Sequence, residues 1–206
     1  MKKYLLLAAI SLLATKTIAQ QNEPETLFGS KINLSQIGFM VDPGFQFTKV
    51  AGVNTSFYQI RAGVVFNDKF TIGGFYGESP TEIRPASFAS GLPATANVNL
   101  SMGGGFIEYT PWSGKVVHLT FPVAIGALNM EGDDYGYGNQ DGESNKLFIE
   151  PAAHLEVNLH KYVRFHAGVG YRVMGDSGSS RGIIPEAENA VSVQAGLKIG
   201  MFQIKK

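Results

Sequence analysis

The chain has 206 residues, of which 44% are hydrophobic and 17% charged, and its 17 basic and 17 acidic side chains give a formal net charge of zero. This length suits one domain. The lack of a basic excess argues against nucleic acid as a partner. The chain contains no cysteine, which excludes a disulfide framework and a cysteine-linked lipid anchor.

The N-terminus has the three parts of a secretory signal peptide. Two lysines open it, residues 4–13 form an apolar run, and small residues precede Gln20. The apolar run is too short to cross a bilayer as a helix, so a retained N-terminal anchor is the weaker interpretation. We therefore expect residues 1–19 to be removed on export and residues 20–206 to form the mature domain.

The segment from Ala190 to Met201 alternates strictly between apolar residues and residues that are polar or small. Successive side chains of a strand point to opposite faces, so this segment has one apolar and one polar face. Similar segments recur near residues 38–48, 57–66, 70–76, 97–109, 115–127, 147–159 and 162–173. The pattern predicts an all-β fold, a single antiparallel up-and-down transmembrane β-barrel of about eight strands.

The predicted connections alternate in length. Short turns are expected at 67–69, 110–114 and 160–161, long loops at 77–96, 128–146 and 174–189, and an intermediate connection near 50–55. Outer-membrane barrels have short turns in the periplasm and longer loops outside. Aromatic residues at the short-turn end are expected to form a girdle, and they are Phe66, Phe70, Tyr109, Trp112 and Tyr162.

Two strands contain residues that predict local irregularity. Pro43 lies inside the first strand, which suggests a sheet edge or a bulge there. The fourth strand places Val98, Leu100 and Met102 on one face, and the glycine run at 103–105 then predicts a break in its phase.

The polar strand faces distinguish a membrane barrel from a soluble one. A water-soluble ligand-binding barrel has similar strands but turns its apolar side chains inward. Here the polar face carries charges of both signs together with the strand histidines. The residues expected in the lumen are Arg61, His118, Glu150, His154, Glu156, Arg164, His166, Arg172 and Lys198. This favours a membrane barrel with a polar lumen, and a soluble periplasmic lipid-binding barrel is the alternative.

Four stretches resemble a known group: PGFQFTKVAG, IRAGVVFNDKFTIGGFYG, GGGFIEYTPWSGKVVHLTFPVAIGA and FIEPAAHLEVNLHKYVRFHAGVGYRVMG. Together they resemble small Gram-negative outer-membrane β-barrel proteins, largely uncharacterised and porin-like, of the size of OmpX. The resemblance runs from about Gly38 to Phe202. It implies an outer-membrane location, with outer-membrane lipid and the barrel-assembly machinery as partners. Barrels of this kind usually end on an outward-facing aromatic, whereas here Met201 has the outward phase.

The lumen residues allow a structural and a catalytic interpretation. Opposite charges on neighbouring strands must pair where little water penetrates, and an eight-stranded interior is narrow enough to be filled by side chains. Alternatively, His118 or His154 is a general base oriented by Glu150 or Glu156, as in a lipid acyl hydrolase or transferase. No serine stands at a suitable spacing from a histidine. The structural network is therefore the preferred hypothesis.

Two groups of residues are candidate metal ligands. His154, Glu156 and His166 lie within reach of one another across a predicted hairpin, although ion pairing is favoured over metal binding. The acidic loop contains Glu131, Asp133, Asp134, Asp141 and Glu143 but lacks the residue order of a calcium loop. We predict no catalytic residue, no cofactor and no metal site.

The leading functional hypothesis is a non-enzymatic outer-membrane barrel with a structural, adhesive or partner-binding role. An extracellular partner would bind through the loops at 77–96, 128–146 and 174–189. A narrow solute channel is a second hypothesis, although open aqueous pores are associated with about 16–18 strands. A lipid-modifying enzyme is the third hypothesis, and the soluble lipid-binding barrel is the fourth.

Overall fold

The computed structural model describes residues 37–84, 97–133, 143–181 and 187–202. Eight strands run through them: β1 (Ile37–Val50), β2 (Val53–Phe66), β3 (Phe70–Glu78), β4 (Asn97–Tyr109), β5 (Val117–Asp133), β6 (Glu143–His160), β7 (Val163–Arg181) and β8 (Ala190–Gly200). Each strand pairs antiparallel with the next, and β8 pairs with β1, which closes the barrel. The predicted fold class is confirmed. The predicted signal peptide lies outside the described residues.

The two faces of each strand differ in exposure as the alternation predicts. On β8, Val193 is 51% exposed while Ser192 and Lys198 are buried. The same holds on β6, where Leu155 is exposed and Glu156 is fully buried. The exterior of the barrel is therefore apolar, and the inward positions of β6 and β8 carry polar and charged side chains. None of the described residues forms a helix long and apolar enough to cross a bilayer.

The connection between β1 and β2 is a two-residue turn. The ladder between them continues to Val50 opposite Val53. Ala51 and Gly52 both have positive φ, 50° and 78°, which is the geometry of a type I′ hairpin turn. The predicted intermediate connection is wrong because Thr48 and Thr55 keep the inward phase and extend both strands to the turn.

Three strands extend further than the sequence predicts. β5 and β6 pair up to Glu131 opposite Glu143, and β7 follows β6 to Arg181. Residues 128–133, 143–146 and 174–181, predicted as loop, are therefore strand. The ladder is held by backbone hydrogen bonds, so it continues after the outward side chains become polar, as at Asn129 and Asn145. Residues 85–96, 134–142 and 182–186 of the predicted loops lie outside the described part.

The bulge expected at Pro43 and the phase break expected at the glycine run are both absent from the described ladders. β1 pairs with β8 up to Val41 and again from Gly44 in unchanged register, so Pro43, which has no N–H to donate, interrupts the ladder without shifting it. The registers of β4 with β3 and β5 are continuous through Gly103–Gly105. Leu100 and Glu108 both point inward, so the inward face changes from apolar to charged without a change of phase.

The lumen has two chemically different halves. At the short-turn end, near the turns at 67–69 and 161–162, the interior is charged. At the opposite end, which we call the long-strand end, an apolar core fills the interior. The main side chains of that core are Val50, Phe57, Ile83, Val98, Leu100, Met102, Leu128 and Met130. Both halves are packed with side chains.

Aromatic side chains form a girdle on the exterior of the short-turn end. The rings of Phe70 and Tyr109 lie 4.9 Å apart between centroids, and Trp112 and Tyr162 are exposed beside the turns. At the long-strand end, Phe45 and Tyr58 pack edge to face at 5.1 Å. The predicted girdle therefore has a counterpart at the other rim.

We predict that Gly196→Ala destabilises the barrel, whereas Gly105→Ala does not. A Cβ at Gly196 would lie 2.7 Å from both Asp42 Oδ1 and His166 Nε2, inside the charged lumen. At outward-facing Gly105 the nearest atom is 3.6 Å away, an ordinary contact. Forcing atoms into a packed interior costs about 1–3 kcal/mol. Urea unfolding in detergent micelles checks this, and equal stability of the two variants would contradict it.

Candidate functional site: the charged lumen

The nine residues expected in the lumen are all buried inside the barrel, none more than 5% exposed. The structure adds two carboxylates that the sequence analysis missed, Asp42 and Glu108. With them, the buried acids are Asp42, Glu108, Glu150 and Glu156, and the buried bases are Arg61, Arg164, Arg172 and Lys198. Four acids thus oppose four bases, so the described lumen is neutral when its histidines are neutral.

Glu156 on β6 is the centre of the larger cluster. Its Oε1 accepts from Arg164 Nη1 at 3.1 Å and lies 3.0 Å from His118 Nε2. Its Oε2 accepts from Lys198 Nζ. The register places His118 directly opposite Glu156 on β5 and brings Arg164 from the neighbouring β7. Side chains from β5, β7 and β8 therefore all contact the carboxylate of Glu156.

Lys198 extends this cluster across the lumen. Its ammonium also donates to Glu108 Oε1 at 2.6 Å. Glu108 lies 3.6 Å from Arg61 Nη2, and Arg61 Nη1 lies 3.7 Å from Asp42 Oδ2. The Arg61 guanidinium also lies 4.7 Å above the Phe106 ring. These contacts join β8 to β4, β2 and β1, so charge pairing crosses the lumen as well as the sheet.

The histidines are divided between pairing and stacking. His166 Nε2 lies 2.9 Å from Asp42 Oδ1 on β1, away from the β6 carboxylates. His154 is fully buried, stacks on the His166 ring at 4.9 Å, and has no hydrogen-bond partner on either nitrogen within the described residues. The metal hypothesis concerned His154, Glu156 and His166. Glu156 is instead held by His118, Arg164 and Lys198, so these three side chains do not converge on one point. Among the described residues no cluster suited to a metal ion is found.

Glu150 organises a second, separate cluster. Its Oε2 accepts from Arg172 Nε at 2.7 Å. Its Oε1 accepts from the side chains of Gln46, Ser192 and Gln194 at 2.6–2.7 Å. The Arg172 guanidinium lies 4.6 Å above the Phe148 ring, where the apolar half begins. This cluster therefore forms the boundary between the two halves of the lumen.

The space between the two clusters is small. A cavity of about 20 Å³ lies between Arg61, Glu150 and Arg172. This is about the room that one water molecule needs. Arg61 of the Glu156 cluster and Arg172 of the Glu150 cluster both line this cavity.

Phe202 packs against the charged cluster near the short-turn end of the lumen. It is 7% exposed and its ring lies 3.7 Å from the Arg164 guanidinium carbon, whereas Met201 is exposed on the outer surface. A cation held against an aromatic face is stabilised by the ring quadrupole. The inward phase of Phe202 thus places the ring over the charged cluster.

The missed residues share one signal, the strand phase. Asp42 has the inward parity of β1, and Glu108 has the parity of Leu100 and Met102 on β4. The expected phase break at the glycine run concealed Glu108. Counting every second residue from a buried position would have found both carboxylates.

We predict that Glu156→Gln costs about 3–5 kcal/mol of unfolding free energy, because it leaves Arg164 and Lys198 without their common counter-charge in a buried site. Glu131→Gln is the matched control, since Glu131 is exposed on the same sheet opposite Glu143. Surface changes of this kind stay within about 0.5 kcal/mol. Urea unfolding checks both variants, and a Glu156 variant as stable as the control would refute the pairing.

We further predict that Glu150 and Glu156 contribute independently to the stability of the barrel. Glu150 and Glu156 are six residues apart, roughly 20 Å along one strand, so Glu150→Gln and Glu156→Gln should add within about 0.5 kcal/mol. Glu156→Gln combined with Lys198→Met should deviate from additivity by about 1 kcal/mol or more, on the order of contacting pairs. Double-mutant cycles test this, and strong coupling between the two glutamates would contradict the division.

Comparison with known proteins identifies the fold. No protein-family model matches the chain, and no curated protein matches it in sequence. Neisserial surface protein A matches with a TM-score of 0.54 at 14% identity, over 80% of this chain and 97% of that one. Ail of Yersinia pestis, solved with the heparin analogue sucrose octasulfate, matches with a TM-score of 0.52 at 12% identity, over 80% and 97%. A major outer membrane protein from Thermus thermophilus matches with 0.53 at 12%, over 80% and 98%. The chain has the fold of these small outer-membrane β-barrels.

Proposed function

We propose that this protein is a non-enzymatic barrel of the Gram-negative outer membrane, whose filled lumen stabilises a scaffold that presents its long-strand end outside the cell. The observation that carries this proposal is the reversal of the usual distribution of residues. Charged side chains are buried in the lumen while Val, Leu, Ile and Phe cover the exterior. A soluble barrel has the opposite arrangement.

The exterior supports insertion in a bilayer. The outward positions of β8 are Val191, Val193, Ala195, Leu197 and Ile199, without a charge. Aromatic residues lie at both ends of this apolar surface, as in the girdles of outer-membrane barrels. The turns at 67–69, 110–116 and 161–162 lie at one end, which we assign to the periplasm. Cleavage of residues 1–19 during export is part of the proposal.

The packed interior argues against a solute channel. An aqueous pore needs a continuous open lumen, whereas here the two clusters leave about 20 Å³ between them. Phe202 packs on Arg164 near the short-turn end, and the apolar core fills the other half. The charged residues are paired with one another, so they offer no free site to a passing ion.

The same packing argues against catalysis in the lumen. His118 and Glu156 form the contact expected of a base and its orienting carboxylate, at 3.0 Å. Glu156, however, is also held by Arg164 and Lys198, and His118 is buried. The neighbouring Thr120 hydroxyl is hydrogen-bonded to Thr110 at 2.9 Å and is fully buried. A lipid substrate has no access to these groups, so we assign them a structural role.

The long-strand end is the surface left for a partner. β5, β6 and β7 extend there beyond the level at which β8 ends, since Ala190 pairs with Arg172 while β7 continues to Arg181. A structural, adhesive or partner-binding role through the connections at this end, together with contacts to outer-membrane lipid and the barrel-assembly machinery, completes the proposal.

The proposal is tested by expressing the full chain with its signal peptide in a Gram-negative host. We expect recovery in the outer-membrane fraction, loss of residues 1–19 from the mature mass, and a mobility difference between boiled and unboiled samples on a detergent gel. The purified barrel in planar bilayers should give no steady conductance. Recovery in the soluble periplasm would overturn the membrane assignment, and reproducible single-channel steps would favour the channel.

A further inference from the structure

A pocket separate from the two lumen clusters lies at the rim of the long-strand end. It has a volume of about 670 Å³ and surrounds the β1–β2 turn. Its polar lining includes Lys49, Asn54, Thr55, Ser56, Thr81 and Asn189. Pockets for small molecules commonly have about 300–1,000 Å³ and a few polar groups that fix orientation. The size and lining therefore suit a ligand rich in hydroxyl groups.

Polar groups in this pocket are available to a ligand. Within the described part of the chain, the side chains of Lys49 and Asn54 make no hydrogen bond or ion pair to another residue, and both residues are exposed. The side-chain carbonyl of Asn189 accepts from Met174 N at 2.8 Å, which leaves its amide N–H groups free. Phe47 adds an exposed aromatic ring to the lining.

A second groove lies beside the pocket on the outer face of β2 and β3. It has a volume of about 430 Å³, and its lining combines Tyr58, Ile60, Tyr76 and Pro80 with polar residues, among them Glu78 and Ser79. Tyr58 and Tyr76 are 56% and 52% exposed on the exterior. Tyr58, Ile60 and Tyr76 give the groove an apolar strip on the exterior of the barrel, along which a hydrocarbon chain can lie.

The pocket and the groove share a wall. The Thr55 hydroxyl, which lines the pocket, lies 3.2 Å from the Ser79 hydroxyl, which lines the groove. One amphiphile at the membrane boundary therefore reaches both, with its head in the pocket and a chain along the groove. Lys49 is the one basic residue of the two linings, against the acidic Glu78 and Glu188. This balance does not favour a phosphate, whereas hydroxyl and amide groups bind neutral sugars.

We propose that this rim binds one glycolipid of the outer leaflet, with its neutral saccharide head in the β1–β2 pocket and an acyl chain between Tyr58 and Tyr76. The inference rests on the membrane location proposed above. It gives the barrel a specific lipid contact at its outer rim, separate from the loops and from the lumen network.

The test uses the full-length barrel in phosphatidylcholine nanodiscs that contain a small fraction of a second lipid. That lipid is either a neutral diglucosyl diacylglycerol or phosphatidylglycerol with the same acyl chains. Native mass spectrometry counts the lipids retained per barrel. We expect one retained diglucosyl lipid and at least tenfold less phosphatidylglycerol. Equal retention of the two lipids would overturn the proposal.

Variants locate the site. Asn54→Ala and Tyr58→Ala should each reduce retention of the diglucosyl lipid at least fivefold. Tyr162→Ala, which removes an exposed tyrosine at the opposite rim, should leave retention unchanged. The heat-dependent gel shift shows that each variant is folded. An unchanged Asn54 variant would overturn the site.

A third arm separates a lipid from a free sugar. Maltose added to the nanodiscs should not displace the diglucosyl lipid at millimolar concentration, since it lacks the chain that occupies the groove. Displacement by maltose would replace the glycolipid with a soluble saccharide. If the protein is not recovered in the membrane fraction, the proposed function is refuted. If the protein is a membrane barrel that retains both lipids equally, only this inference is refuted.

Discussion

The structure depends on the requirement that charges enclosed in a narrow barrel be paired. Once the apolar residues of each strand face outward, the alternating residues face a lumen that an eight-stranded barrel can fill with side chains. Eight charged residues are buried there. An unpaired charge in such a site is strongly destabilising, whereas a paired and hydrogen-bonded one is tolerated. This is why each buried acid in the lumen lies beside a buried base.

Pairing in the lumen also acts as a cross-link between distant strands. Lys198 on β8 contacts Glu156 on β6 and Glu108 on β4, which the sheet itself does not join. Gln46 on β1 and Gln194 on β8 converge on Glu150 from β6. Backbone hydrogen bonds join only neighbouring strands around the wall. The side-chain contacts therefore brace the barrel across its diameter.

The glycines follow from the same constraint. Gly168, Gly170 and Gly196 point inward, where a Cβ would meet His154, Ser192 and Asp42 respectively. The absence of a side chain at these positions leaves the volume that the charged and polar groups occupy. Inward glycines are thus part of the packing, whereas outward Gly105 has room for a methyl group.

Strand number, strand phase and the inward position of most lumen charges could be predicted from the sequence, because alternation with a period of two is set by backbone geometry. The ion-pair and hydrogen-bond partners of these residues could not be predicted. Strand order alone places His166 next to the β6 carboxylates, whereas it contacts Asp42, because closure of the barrel brings β1 next to β8 and near β7. Strand ends could not be predicted either. β7 continues to Arg181 through residues with no apolar alternation, since backbone pairing does not depend on it.

Likewise, the apolar half of the lumen could not be predicted. Leu100, Met102 and Leu128 resemble exterior residues in composition, and only their register shows that they face inward. A change of chemistry along one face resembles a change of phase when the partner strand is not known. The phase break predicted at the glycine run 103–105 is wrong for this reason.

Cysteine accessibility along β8 distinguishes a closed, ion-paired lumen from an open one, and the chain has no native cysteine that would interfere. Single cysteines replace the outward Val193 and Leu197 and the inward Gln194 and Lys198, and each folded barrel is treated in membranes with a lipid-soluble and a charged maleimide. We expect the outward pair to react only with the lipid-soluble reagent, and the inward pair to react with neither reagent until the barrel is unfolded. Rapid labelling of the inward positions by the charged reagent in the folded barrel would contradict a closed, ion-paired lumen.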